Sequence, residues 1–423
     1  MPFRAFPPEA RTLLGAQLVF NLGFYAVVPF LAGAMRTEHG LGAVAIGVVL
    51  GARTFSQQGM FLLGGVLADR WGARRAVLAG CLVRIAGYAT LLAASGFPLL
   101  LLGAVLTGAG GALFSPALEA QLSHADRPER GRSLFVWLAV TGEIGAVLGP
   151  LLGSALLGWG LDAALTAGIV VFTAVTAVLW RLLPAHGPGA DGTPVPSRAR
   201  PSLLCLRDRR FVAFCALAGV NLLAYNQLYF AVPVELDRRG LDPAWLGPLF
   251  GLASVLTLVL QLPVAAAARR LGPGRTLTAG FGLLAVAFAV AATTSVHPGD
   301  PSQAPAAPVV VTVAVLCLGH MALTPTILSL VPAFVPDTAG ASRAAYYGLV
   351  ATCGGAAVLV GNTVLGRLVD AAARHQWWPG TPWAPLVLLA LLAAVALPRV
   401  LRAGQERSPS DVPPAPPPRE RTP

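Results

Sequence analysis

The sequence predicts an all-α integral membrane fold of twelve transmembrane helices in two six-helix pseudo-symmetric halves, and three observations carry that prediction. Of the 423 residues, 55% are hydrophobic and only 12% charged, with a mean hydropathy of +0.69; soluble domains are roughly half apolar and a quarter charged. The apolar residues fall in blocks of about 20, long enough at ~1.5 Å per residue to cross a hydrocarbon core of roughly 30 Å. Backbone groups in lipid must be satisfied within the segment, so each block is a helix. Finally, short stretches of the first half recur in the second at a constant offset of 200 residues.

Taken in order, the spans are expected near 13–35, 43–67, 76–95, 99–120, 134–157 and 163–183, then 211–234, 245–267, 276–295, 308–331, 344–368 and 383–398. Between the two sets, the Pro/Gly-rich stretch from Pro184 to Pro201 reads as a linker, and Leu203–Arg210 is placed at the membrane interface before the seventh span. This divides the chain into an N-terminal half (1–183), a linker (184–210), a C-terminal half (211–398) and a tail (399–423) whose Pro-rich composition predicts disorder.

Net charge is +11, and every one of the thirty basic residues is Arg. In a soluble protein that balance would suggest nucleic acid; here the arginines sit in short loops between apolar blocks, and no nucleic-acid partner is expected. Twenty-three lie on the side that carries both termini and five on the other. The positive-inside rule therefore places both termini in the cytoplasm of a multi-pass inner-membrane protein. The remaining two, Arg53 and Arg84, are inside helices. The five cysteines, in or beside spans and without CxxC or His pairing, predict neither disulfides nor a metal site. The first span lacks a cleavage site and is expected to be retained.

The repeat joins Asn21, Leu22 and Tyr25 to Asn221, Leu222 and Tyr225, and matches residues 68–80 to 268–280 at six of thirteen positions. The first-half copy, with Gly65, Asp69, Arg70, Gly72, Arg74 and Arg75 in the turn between the second and third spans, resembles the loop motif G-x-L-a-D-r-x-G-r-k/r of the major facilitator superfamily. The glycines suit a tight turn, and the carboxylate suits a helix N-terminus of the opposite half. The resemblance implies a cytoplasmic gate that latches one state of the transport cycle. The second-half copy carries Arg269 in place of the carboxylate.

In the fifth span, Gly145, Gly149, Pro150 and Gly153 resemble the G-x-x-x-G-P-x-x-G-G motif of drug/proton antiporters, a small-residue stripe that lets another helix approach. Residues 53–59, 84–87 and 114–116, with Arg130-Gly131-Arg132, extend the similarity to the MdtH-type multidrug-resistance branch. One departure stands out. Ala104 occupies the position where the antiporter motif of the fourth span has Arg.

Ionisable residues at helix centres cost about 2.5–3.5 kcal/mol on insertion scales and usually face a cavity or a partner. Arg53, Arg84 and Glu143 are at that depth, which suggests proton coupling through Glu143 with an Arg as counter-ion; a purely structural Arg–Glu pair is the plainer alternative. Asn21 and Tyr25 share one face of the first span, and Asn221, Tyr225 and Tyr229 one face of the seventh. With His320 they are candidates to line a substrate cavity; polar packing between helices would explain them equally.

No Walker motif, nucleophile elbow, zinc cluster or dinucleotide fingerprint occurs, so neither an enzyme nor an ATP-driven pump is expected, and no cofactor. The expected function is secondary active transport by a monomer in the lipid bilayer, with a small lipophilic or cationic substrate exported against protons. A metabolite uniporter or importer of the same fold, or a non-transport receptor, is the alternative.

Overall fold

The computed structural model describes residues 6–124, 131–183, 204–295, 306–336 and 343–405. Most of the linker and of the tail lies outside them. Among the described residues every regular element is a helix.

The first half contains α1 (Pro8–Thr37), α2 (Ala43–Gly59), α3 (Phe61–Trp71), α4 (Ala73–Leu92), α5 (Phe97–His124), α6 (Gly131–Leu156) and α7 (Leu161–Leu182). The short α8 (Leu204–Arg207) precedes the second half, which contains α9 (Arg209–Asn226), α10 (Ala231–Arg238), α11 (Leu246–Leu271), α12 (Pro273–Thr294), α13 (Ala307–Leu330), α14 (Arg343–His375) and α15 (Ala384–Gln405). Eleven stretches are long and apolar enough to cross a membrane as they stand. The twelfth crossing is the α2–α3 pair, expected as a single span over 43–67 and broken at Met60 next to Gly59, where glycine weakens the helix.

The seventh span is also interrupted. Between α9 and α10, residues 227–230 leave the α-helical pattern, and Val232 N reaches back to Gln227 O at 2.9 Å. Pro233 is the cause: it has no N–H for the carbonyl four residues earlier and its ring clashes with it. At the other end of this span, Asp208 caps α9 by accepting from Arg210 N at 2.9 Å and Phe211 N at 3.1 Å. The last span runs to Gln405, beyond the end expected at 398. Arg210 Nε and Nη2 donate to Val400 O and Leu401 O at 2.8 and 2.7 Å, which ties the start of α9 to the last turns of α15.

Within the first half, α4 packs on α5, α1 on α6 and α7, and α2 on α5; within the second, α12 packs on α13 and α15, and α9 on α14. Two seams join the halves, α2 with α14 and α6 with α11. The first is a backbone-to-backbone contact: a Cβ on Gly366 would come within 2.5 Å of Ala43 O, and one on Gly51 within 2.7 Å of Leu359 Cα. The internal repeat has a backbone signature. Gly72 and Gly272 have φ of 87° and 75°, and Gly40 and Gly240 have φ of 61° and 66°, left-handed values that favour glycine.

The end of the bundle opposite the N-terminus is drawn together. There Arg36 pairs with Asp237 at 3.2 Å, Ser154 Oγ donates to Ala244 O at 3.2 Å, and Asp370 accepts from the first turn of α2. α5 and α13, whose C-terminal ends lie at the other end, form no comparable seam among the described residues.

Candidate functional site

Both broken and unbroken helices deliver polar side chains to the middle of the bundle. From α1, Asn21 Nδ2 donates to Gly142 O on α6 at 3.0 Å, so the next residue, Glu143, is held beside α1. Glu143 is half-buried and near enough to Tyr25 and Tyr225 to interact with both electrostatically. Tyr25 lies near Tyr229, which the interrupted segment of the seventh span carries, and both rings meet Phe24 and Phe250. From α9, Asn221 Nδ2 donates to Thr324 Oγ1 at 3.0 Å, and Asn221 Oδ1 lies 3.1 Å from His320 Nδ1. Oδ1 can only accept, so that contact places the imidazole proton on Nδ1. Tyr225 stacks on the same ring at 4.0 Å. Asn21, Tyr25, Glu143, Tyr225, Tyr229, Asn221 and His320 thus form one cluster drawn from α1, α6, the seventh span and α13. Phe24 and Phe250 complete it: Tyr25 meets Phe24 edge-on at 4.9 Å, and Tyr229 meets Phe250 at 5.0 Å.

The arginines do not form the expected partnership. Among the described residues neither Arg53 nor Arg84 makes an ion pair, and Glu143 makes none. Arg53 lies over the Phe24 ring at 4.5 Å and donates to Gln57 Oε1. Arg84, 1% exposed, lies over Phe20 at 4.0 Å and donates to Thr107 O at 3.2 Å. Arg53 Nε and both Nε and Nη1 of Arg84 find no acceptor. Aromatic faces take the place of a carboxylate here, because Arg84 is boxed in by Phe20 and Phe172.

In the gate motif, Gly72 forms the positive-φ turn between α3 and α4, and Arg70 and Arg75 are exposed. Arg74 instead reaches α7, donating to Trp180 O and lying 5.7 Å over the Trp180 ring. Gly65 and Asp69 belong to α3, but the side chain of Asp69 lies outside the described residues. In the fifth-span motif the stripe faces α1: a Cβ on Gly145 would lie 2.6 Å from Leu18 O, one on Gly149 2.6 Å from Tyr25 Cβ, and Gly153 meets Phe30 and Ala26. Pro150 and Ser154 point the other way, to Gly247 on α11.

The sequence reading missed a second buried polar group. Asn226 Nδ2 donates to Thr54 Oγ1 at 3.1 Å, Asn362 Nδ2 to Asn226 Oδ1 at 3.0 Å, and Gln227 Nε2 to Asn362 Oδ1 at 3.1 Å. This chain ties α2, the break in the seventh span and α14 together. The signal was an Asn-Gln pair six residues before Pro233.

The residues 13–362 match the family model described as Major Facilitator Superfamily. An uncharacterized MFS-type transporter of Mycobacterium tuberculosis (strain H37Rv) is 33% identical over 410 residues, covering 94% of each chain. The multidrug resistance protein MdtH of Escherichia coli (strain K12 / DH10B) is 34% identical over 254 residues, or 60% of this chain and 62% of MdtH. Among solved structures, an auto-inhibited POT family peptide transporter superposes with a TM-score of 0.75 at 19% identity, covering 97% of this chain and 99% of the other; at that identity the likeness is one of fold. Twelve crossings, the repeat and these matches together make the chain a member of the Major Facilitator Superfamily, a multi-pass membrane transporter and not an enzyme.

Proposed function

We propose that the protein is a proton-coupled exporter of small lipophilic or cationic compounds, working by alternating access as a monomer, with Glu143 as its proton carrier. The observation that carries this reading is the position of Glu143, half-buried, without an ion pair among the described residues, and within electrostatic reach of Tyr25 and Tyr225. A carboxyl shielded from water favours its neutral form, and one wetted by an opening cavity releases its proton. Tyr25, Tyr225, Tyr229, Phe24 and Phe250 supply aromatic surface with hydroxyl groups beside it, suited to a flat apolar solute and attractive to a cation. Proton and cation would compete for the same charge, which is the basis of exchange. Similarity to MdtH over part of the chain supports the multidrug assignment.

In this reading residues 1–183 and 211–398 are the moving halves, both termini are cytoplasmic in the cell's inner membrane, and the drawn-together end is the outer one. Asp69, Arg70, Arg74 and Arg75 then form the inner gate. Metabolite uniport or import is the second reading, favoured by Ala104 at the position where antiporters have Arg. Purified protein in liposomes with an imposed pH gradient separates the two. Proton movement triggered by lipophilic cations supports antiport; downhill flux of a metabolite without proton movement supports the second reading.

A further inference from the structure

The first turn of α2 has no cap of its own. Gly42 stands at the N-cap position without a side-chain acceptor, and the first turn holds no acidic residue. A helix start in this state carries unpaired N–H groups and a partial positive charge, both costly away from water. The missing acceptor comes from the other half of the molecule. Asp370, near the C-terminal end of α14, accepts from Ala43 N through Oδ1 at 3.0 Å and from Val44 N through Oδ2 at 3.2 Å. Gly42 leaves it room: a Cβ there would lie 3.2 Å from Oδ2. One turn earlier on the same face of α14, Gly366 is in backbone contact with Ala43. Packing and capping therefore act on the same turn of α2.

We propose that Asp370 is a positioning residue for transport: by capping α2 from α14 it holds the drawn-together end of the bundle shut, and it must release α2 in every cycle. The inference rests on alternation between two states but on neither proton coupling nor the direction of transport. Both cap bonds are charge-assisted and bidentate. The Arg36–Asp237 pair at the same end has side chains 42% and 50% exposed, and water competes for it. Release need not strand the carboxylate. Arg36 and Arg238 line a recess of about 230 Å³ together with Asp370, and Arg238 is tied to the connection that follows α14 by its bond to Pro379 O at 3.1 Å. A freed Asp370 has a guanidinium within its own half to turn to.

The test needs no substrate and no gradient, so it stands whether or not the antiport reading does. Ile46 is fully buried behind the seam and lines a recess of about 450 Å³ at this end. In a protein with its five native cysteines replaced by Ser, Ile46→Cys is reacted with a membrane-impermeant maleimide while thermal stability is followed in parallel. Asp370→Ala should speed labelling roughly five- to tenfold, in line with the loss of a helix cap. Asp370→Asn, which preserves shape and one acceptor, should fall between, and Asp370→Glu should restore slow labelling. Ala43→Pro removes one donor at a position where helices tolerate Pro, and it should mimic Asp370→Asn. Unchanged labelling in folded Asp370→Asn and Ala43→Pro overturns the proposal. So does an increase with Arg36→Ala as large as with Asp370→Ala.

Discussion

At the residue scale, the midplane cations Arg53 and Arg84 and the half-buried carboxylate of Glu143 are held apart, whereas Glu235 and Arg239 form a buried ion pair at 3.0 Å. Arg84 lies over aromatic rings with two donor atoms unused and no carboxylate partner among the described residues, and exchanging such a buried charge for an apolar side chain of similar size removes its desolvation cost. Arg84→Met should therefore leave the melting temperature unchanged or raise it; a clear fall would mean that the guanidinium holds the helices together. Asn362 is the opposite case, fully buried and bonded to both Asn226 and Gln227. Asn362→Ala leaves both partners short and should cost about 1–3 kcal/mol, read as a lower melting temperature in detergent. The sequence showed Arg53, Arg84 and Glu143 at one depth, and depth is what helix rise encodes. Azimuth decides pairing, and it depends on how α4 and α6 are rotated against α1, which no periodicity in a nearly all-apolar helix specifies. The position of Arg84 also bears on the missing Arg at 104. Arg84 donates to Thr107 O, so α5 receives from α4 a cation that it does not itself carry at 104.

At the element scale, small residues set which helices touch. The stripe Gly145, Gly149, Gly153 was legible as a close-packing face, but its partner was not: α1 takes it, with Tyr25 seated over Gly149. Gly149→Leu would drive a side chain into the space of Tyr25 and Leu22. It should cost at least about 1–3 kcal/mol by overpacking, and a thermal melt equal to wild type would show that α1 and α6 part easily. The interruptions were harder to read. Pro233 marks one, yet Pro29 sits inside an unbroken α1, so a proline alone does not announce a break; the Asn226–Gln227–Asn362 bonds stabilise the irregular turn in one case. The break at Met60 follows from Gly59 and was hidden by an uninterrupted apolar pattern over 61–67.

At the scale of the whole molecule, hydropathy blocks and the 200-residue repeat foretold the architecture, and the paired left-handed glycines at 40 and 240 and at 72 and 272 are its backbone imprint. Orientation rests on arginine counts. A reporter inserted in 184–201 should give a cytoplasmic signal and one in 297–305 an outside signal; reversal of both would invert the molecule, and identical answers would change the number of crossings. The central claim is that a proton on Glu143 drives solute movement, and the most direct measurement compares two kinds of flux for Glu143→Gln in liposomes. Accumulation against a gradient, driven by ΔpH, should be lost, while exchange of labelled for unlabelled solute continues. A folded Glu143→Gln protein that still accumulates solute uphill would contradict that claim.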